Sequence, residues 1–176
     1  MRNRSVRFFN LCAATFLLSS CGNHQSGTGS LLPEGTKTIA VAAFINDTNE
    51  PYVDVEVTKA VVDEFMADGR LRVMDPEAAD LQLSGKVTKF EITALSYTRD
   101  SYVQQYKVQI LVDVVLNDKR TKTILWKERG IQAVFISDYP VTVGDIRATK
   151  VVKDSAMKKA AQDIAWTLRS RVLEGF

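Results

Sequence analysis

Apolar residues fill nearly every position of Thr38-Ile39-Ala40-Val41-Ala42-Ala43-Phe44, which predicts a central strand buried on both faces. Turn formers in Asn46-Asp47-Thr48-Asn49-Glu50-Pro51 mark a loop. Val53, Val57, Ala60, Val61 and Phe65 then recur at helical spacing. Asp54 and Glu56 fall in the first turn, where carboxylates favour a helix start, and Gly69 is placed to cap the end. Leu71-Arg72-Val73-Met74 reads as a short strand stopped at Asp75-Pro76. From Leu81 the pattern alternates, with Leu81, Leu83 and Val87 on one face and Gln82, Ser84, Lys86 and Thr88 on the other. The parity flips at Phe90 and Ile92, which predicts a bulge between Val87 and Phe90.

Tyr97-Thr98-Arg99-Asp100-Ser101 is a turn, and the next strand alternates cleanly through Tyr106, Val108, Ile110, Val112, Val114 and Leu116. That is an antiparallel strand with one face on the core. Asn117 to Lys122 forms a hairpin loop. Ile124 and Trp126 open a further strand on one parity, Ile131, Ala133 and Phe135 continue it on the other, and Gly130 sits at the switch as the bulge residue. Tyr139-Pro140 marks a loop. From about Asp145 to Leu173, Val152, Ala156, Ala160, Ile164, Leu168 and Val172 form an i,i+4 stripe. One apolar stripe on each helix puts both helices on the same face of one sheet. The expected architecture is an α+β two-layer sandwich, β-α-β-β-β-α, with two helices on one face of a mostly antiparallel four-stranded sheet. The opposite sheet face is polar along its hairpins, and is either wet or covered by a partner.

The amino terminus changes the picture from a free domain to an anchored one. Arg2, Arg4 and Arg7 precede an apolar run from Phe8 to Leu18 that ends in small residues, the layout of a secretory signal peptide. The run is shorter than the about 20 apolar residues that span a bilayer. Leu18-Ser19-Ser20-Cys21 resembles the lipobox of bacterial lipoproteins, in which the thiol receives a diacylglyceryl group and the chain is cut before the cysteine. Cys21 is accordingly read as a lipidation site; the alternative is a plain exported protein with an incidental cysteine. Gly22 to Ser30 is small, polar and glycine-rich, a tether with a reach of about 20 Å. The organisation is a signal peptide over 1–20, a lipidated tether over 21–36 and a single α+β domain over 37–176. Gly22, in place of an aspartate after the lipidated cysteine, favours the outer membrane.

A chain of 176 residues holds one well-buried core. The net charge of +2 owes three arginines to the signal segment, so the rest is near neutral, which argues against a nucleic-acid binder. Cys12 leaves with the signal and Cys21 would be acylated, so no disulfide and no free thiol remain. The single histidine, His24, lies in the tether. Phosphate loops, Ser/His/Asp sets and metal-ligand spacings are missing. Asp113, Glu91 and Glu128 are half-exposed strand carboxylates of the kind normally solvated or paired with lysine. Trp126 and Trp166 read as core or edge packing. The chain is therefore expected to be a binding or structural protein rather than an enzyme, with no cofactor and no metal.

From Lys37 onward the order of segments resembles the lipopolysaccharide-assembly lipoprotein family, LptE. The segments are Lys37-Thr38-Ile39-Ala40-Val41 with Phe44, Asn46 and Thr48, then Glu64-Phe65-Met66-Ala67-Asp68-Gly69-Arg70-Leu71, Ala79 to Val87, Leu95-Ser96-Tyr97 and Leu125-Trp126-Lys127-Glu128. Members often carry Cys-Gly-Tyr after cleavage, whereas Asn23 follows Gly22 here. The resemblance implies a lipid-anchored plug in the lumen of the outer-membrane β-barrel LptD, which it helps to fold and to deliver lipopolysaccharide. Lipid A phosphates would need basic contacts, and Arg99 at one hairpin turn and Lys119, Arg120 and Lys122 at the next are the candidates. The two turns lie about 50 Å apart at opposite ends of one strand, so they cannot form one site, and Arg99 falls where the family's basic contacts fall. The alternative is an outer-membrane regulator of peptidoglycan synthesis, or a secretion-type lipoprotein with a related βα start.

Overall fold

Strand β1 (Thr38–Val41) lies between two parallel neighbours, and Ile39 and Ala40 on its opposite faces are both fully buried. The computed structural model describes residues 32–97, 103–137 and 146–175. The signal segment, Cys21, Arg99 and Tyr139-Pro140 lie outside the described residues. After β1 come β2 (Ile45–Asn46), α1 (Val53–Asp68), β3 (Arg72–Val73), β4 (Leu81–Tyr97), β5 (Val103–Asp118), β6 (Thr123–Ser137) and α2 (Ile146–Glu174). The two-layer α+β arrangement is as the pattern predicts, with both helices packed on one face of the sheet.

The sheet itself differs from the expectation in number and sense. It has six strands rather than four, in the order β3-β1-β4-β5-β6, with β2 also paired to β4. It is mixed: β1 runs parallel to β3 and β4, β2 runs parallel to β4, and β4, β5 and β6 form an antiparallel meander. Alternation along a strand reports which face is buried and is silent about the neighbour it pairs with. The α1 crossover returns the chain in the same direction, which makes β3 parallel to β1.

The first strand is also shorter than its apolar run. Pairing stops after Val41 and resumes at Ile45, with one more residue on this side than on β4, where Leu83 and Lys86 are the partners. The cause is Phe44. Its amide donates to Thr58 Oγ1 at 2.9 Å instead of to the sheet, and its buried ring lies over Gly85 of β4. Asn46 then holds the loop into α1: its Oδ1 accepts from the Thr48 amide and hydroxyl, and its Nδ2 donates to the Glu50 carbonyl.

Both predicted bulges are present. The β4–β5 register slips between Val87 and Lys89, and burial passes from Leu81, Leu83 and Val87 to the half-buried Phe90 and Ile92. In β6 the slip falls between Glu128 and Ile131, with Gly130 at φ +68° donating its amide to the Asp113 carboxylate at 2.9 Å. A positive φ favours glycine there. Gly69, also at positive φ, caps α1 with its amide on the Phe65 carbonyl.

The core is the stripe read from spacing. Val53, Val57, Val61 and Phe65 of α1, and Val152, Ala156, Ala160, Ile164, Leu168 and Val172 of α2, are all buried. They face Leu81, Leu83, Val87, Ile110, Val112 and Leu116 of the sheet. Trp126 is in the core, whereas Trp166 is 56% exposed. The helices run side by side in the same direction, tied by Arg169, whose guanidinium meets Glu64 at 3.1 Å and Asp68 at 3.7 Å. Arg171 pairs with Glu128 and so pins α2 to β6.

Candidate partner-binding surface

Apart from the buried Ala40 of β1, the strand side chains that point away from the helices form one exposed or half-exposed face, and two of its lysines are ion-paired. Lys86 meets Asp47 at 2.8 Å, and Lys89 meets Glu91 at 2.8 Å. The hydrogen bond to Asp47 holds the Lys86 ammonium above its ordinary range, and the one from Lys89 holds the Glu91 carboxyl below its own. Asp113 is bound to the Gly130 amide. Between these pairs lie Gln109, the half-buried Leu111, and Val134 and Ile136 on β6. Lys107, opposite Ile136, and Lys127, opposite Val115, lie on the same face, and the result is a broad face of mixed polarity that no helix among the described residues covers.

The second candidate region is the β5–β6 turn, where Lys119 and Arg120 sit. Their positive ends are partly committed to the fold. Lys119 donates its ammonium to the Pro76 carbonyl and its amide to the Asp80 carbonyl at 2.9 Å. Arg120 reaches Thr36 Oγ1 at 3.4 Å and Asp118 Oδ2 at 3.5 Å. Asp118 continues the inward parity of β5 and is only 1% exposed. Burial pushes its carboxyl up, but the amides of Arg120 and Thr121 and the Arg120 guanidinium pull it further down, leaving it below the ordinary range. Lys122 is exposed, with φ 57°. The turn thus lies beside Thr36 and Lys37, where the described chain leads into β1, and Val103 is at the far end of β5. Sixteen strand residues separate the two ends, a span of about 50 Å.

A carboxylate clamp that sequence spacing did not single out closes this end. Asp80 Oδ2 accepts from the Lys37 amide at 3.0 Å, the Thr38 amide at 3.1 Å and the Thr38 hydroxyl at 2.9 Å, while the Asp80 amide donates back to that hydroxyl. The Lys37 amide is the main reason the carboxyl lies below its ordinary value of 3.8. A carboxyl held charged in the fold contributes stability above that value and loses it as pH falls through the folded pKa. Asp80→Asn is therefore expected to lower the thermal midpoint near neutral pH and to flatten its decline on acidification below about pH 4. Unfolding scans of both proteins from pH 6 to 2.5 check this; parallel curves would remove Asp80 from the acid response.

Between the helices runs an open groove lined by Glu56, Lys59, Asp63, Glu64, Lys158 and Gln162. Its charges are of both signs, and Lys59 is bound to Asp63 at 2.6 Å. No His, Cys, Asp and Glu set among the described residues is arranged to hold a metal. No helix among them is long and apolar enough to cross a membrane.

Solved structures share the fold at low identity. A Caulobacter crescentus CB15 protein is 15% identical at a TM-score of 0.54, over 76% of this chain and 86% of that one. A hypothetical protein from Chlamydia trachomatis is 11% identical at 0.51, over 78% and 95%. A minor lipoprotein from Acinetobacter baumannii is 9% identical at 0.50, over 80% and 92%. No curated protein matches the chain. The family model for lipopolysaccharide assembly, LptE, matches residues 36–172.

Proposed function

The chain belongs to the LptE family of lipopolysaccharide-assembly proteins, and we propose on that footing that it is a lipid-anchored plug of an LptD-like barrel. In this reading Cys21 carries the lipid and holds the domain at the periplasmic face of the outer membrane. Burial of acyl chains at about 0.8 kcal/mol per methylene makes two or three of them a durable anchor. The domain helps the barrel to fold and helps lipopolysaccharide to reach the outer leaflet.

The observation that carries the reading is the helix-free sheet face. Two of its lysines are paired with carboxylates and its apolar side chains are scattered among polar ones, which suits the polar interior of an outer-membrane barrel. Phosphates of lipopolysaccharide would be met by Arg99 or, at a separate site, by Lys119 and Arg120, since guanidinium and ammonium groups make charge-assisted bonds to phosphate. Arg120 remains partly exposed despite its bond to Thr36, so it has donors to offer.

Mild crosslinking of the tagged chain in its own cells, followed by identification of the covalent partner, tests the reading. A large outer-membrane barrel at one copy per chain is the expected product. A peptidoglycan synthase, or no barrel at all, would replace the plug with a regulator that contacts the cell-wall machinery.

A further inference from the structure

One side of β6 is an unfinished edge among the described residues. Among the described residues β6 pairs only with β5, and it runs for 15 residues. Such a strand offers a row of unpaired amides and carbonyls to any other strand. Its first half is guarded by Lys127, Glu128, Arg129 and the bulge at Gly130. Its second half, Ile131 to Ser137, has no charge and no proline, and Val134 and Ile136 are 41% and 49% exposed.

The flank of α2 above this edge is exposed as well. Lys159 lies over the Phe135 ring of β6 at 4.9 Å. Asp163, Trp166 and Ser170 follow at spacings of four, three and four, so they share the stripe of Lys159. The opposite flank of α2 faces α1 through Lys158, Gln162 and Arg169. Trp166 is 56% exposed, with the Arg169 guanidinium 5.9 Å from its ring.

We infer that this margin binds a second copy of the chain, the two β6 strands pairing antiparallel about a two-fold axis at Val134. That axis preserves the faces of the sheet: Val134 lies opposite Val134 of the second copy, Gln132 opposite Ile136, and the small Ala133 opposite the large Phe135. The charged Lys127 to Arg129 fall outside the paired segment, so no like charges meet there. The helices select the same register. Helix α2 runs antiparallel to β6, with Lys159 above Phe135 and Arg171 on Glu128. At 1.5 Å per helical residue against about 3.3 Å per strand residue, the level of Val134 corresponds to about residue 161 of α2. The two-fold axis then sets Lys159 level with Asp163 of the second copy, and Asp163 level with its Lys159. This margin carries opposite charges at the two positions a copy of itself would pair. The contact is small for a protein interface, so the association is concentration-dependent. It goes beyond the barrel reading and describes the chain before it meets a partner.

Disulfide trapping of the full chain in cell membranes tests the inference. Val134→Cys places two thiols directly opposite each other, where facing side chains lie about 4.5–5.5 Å apart. Mild oxidation should yield a reducible dimer, absent from the unsubstituted chain, which accounts for Cys12 and Cys21, and from Ile124→Cys on the same strand. Lys159→Glu should abolish most of that dimer in the Val134→Cys background, and adding Asp163→Lys should restore it. Circular dichroism confirms that each variant is folded. A dimer yield no greater than at Ile124→Cys, a mixed disulfide with a different protein, or a double charge swap no better than the single one would each overturn the pairing.

Discussion

Gly85→Ala is expected to lower stability by about 1–3 kcal/mol or more, the range for forcing volume into a packed core, read as a fall in the urea midpoint at unchanged slope. A Cβ at residue 85 would sit 2.2 Å from Phe44 Cε1 and 2.7 Å from two further ring atoms. The ring has little room to retreat. It is buried, and the Phe44 amide is fixed to the Thr58 hydroxyl, which itself donates to the Asp54 carbonyl in α1. Displacing the ring would disturb the register break between β1 and β2 and the seat of α1 together. Gly85→Ala combined with Phe44→Leu should regain part of the loss, because the smaller side chain leaves the space a methyl group needs. Equal midpoints for the single and double variants would show that the contact with Phe44 is not what Gly85 protects.

Phe65→Ala is expected to cost about 3–5 kcal/mol, the range for truncating a buried aromatic residue. Phe65 is fully buried in the last turn of α1, and its carbonyl accepts the capping amide of Gly69. Since a domain of this size is stable by only about 5–15 kcal/mol, the variant should be marginal at 37 °C. Met66→Ala, one residue on, removes a side chain that is largely exposed and should shift the midpoint by less than about 0.5 kcal/mol. A comparable loss in both variants would mean that helix propensity, not core packing, sets the effect.

The contrast between those neighbours shows what periodicity can convey. Spacing alone separates Phe65 from Met66, places all six residues of the α2 stripe in the core, and locates the bulges at Val87 and Gly130, because each depends on which way successive side chains point. Phe44 escaped it. In a run that is apolar at nearly every position, a residue turned out of the ladder looks like the rest. The parallel pairing of β1 escaped for a different reason, since partners come from residues distant in sequence. The same holds at the candidate site. Lys119 and Arg120 read as free turn cations until the fold brings Pro76 and Thr36 to them from 43 and 84 residues away. The Asp80 clamp joins residues 42 and 43 apart. Asp118 is the exception: the alternation from Val108 to Leu116, carried one step further, points its carboxylate inward.

The position of β1 also orders events in time. The meander of β4, β5 and β6 is built from hairpins whose partners are close along the chain, and such local contacts form early because little loop entropy opposes them. Strand β1 has no local partner. It must wait for residues near Arg72 on one side and Leu81 on the other, and it completes the sheet by sliding between them. Lys37 and Thr38, which the Asp80 carboxylate holds at the start of β1, are thus among the last residues to be drawn onto the domain.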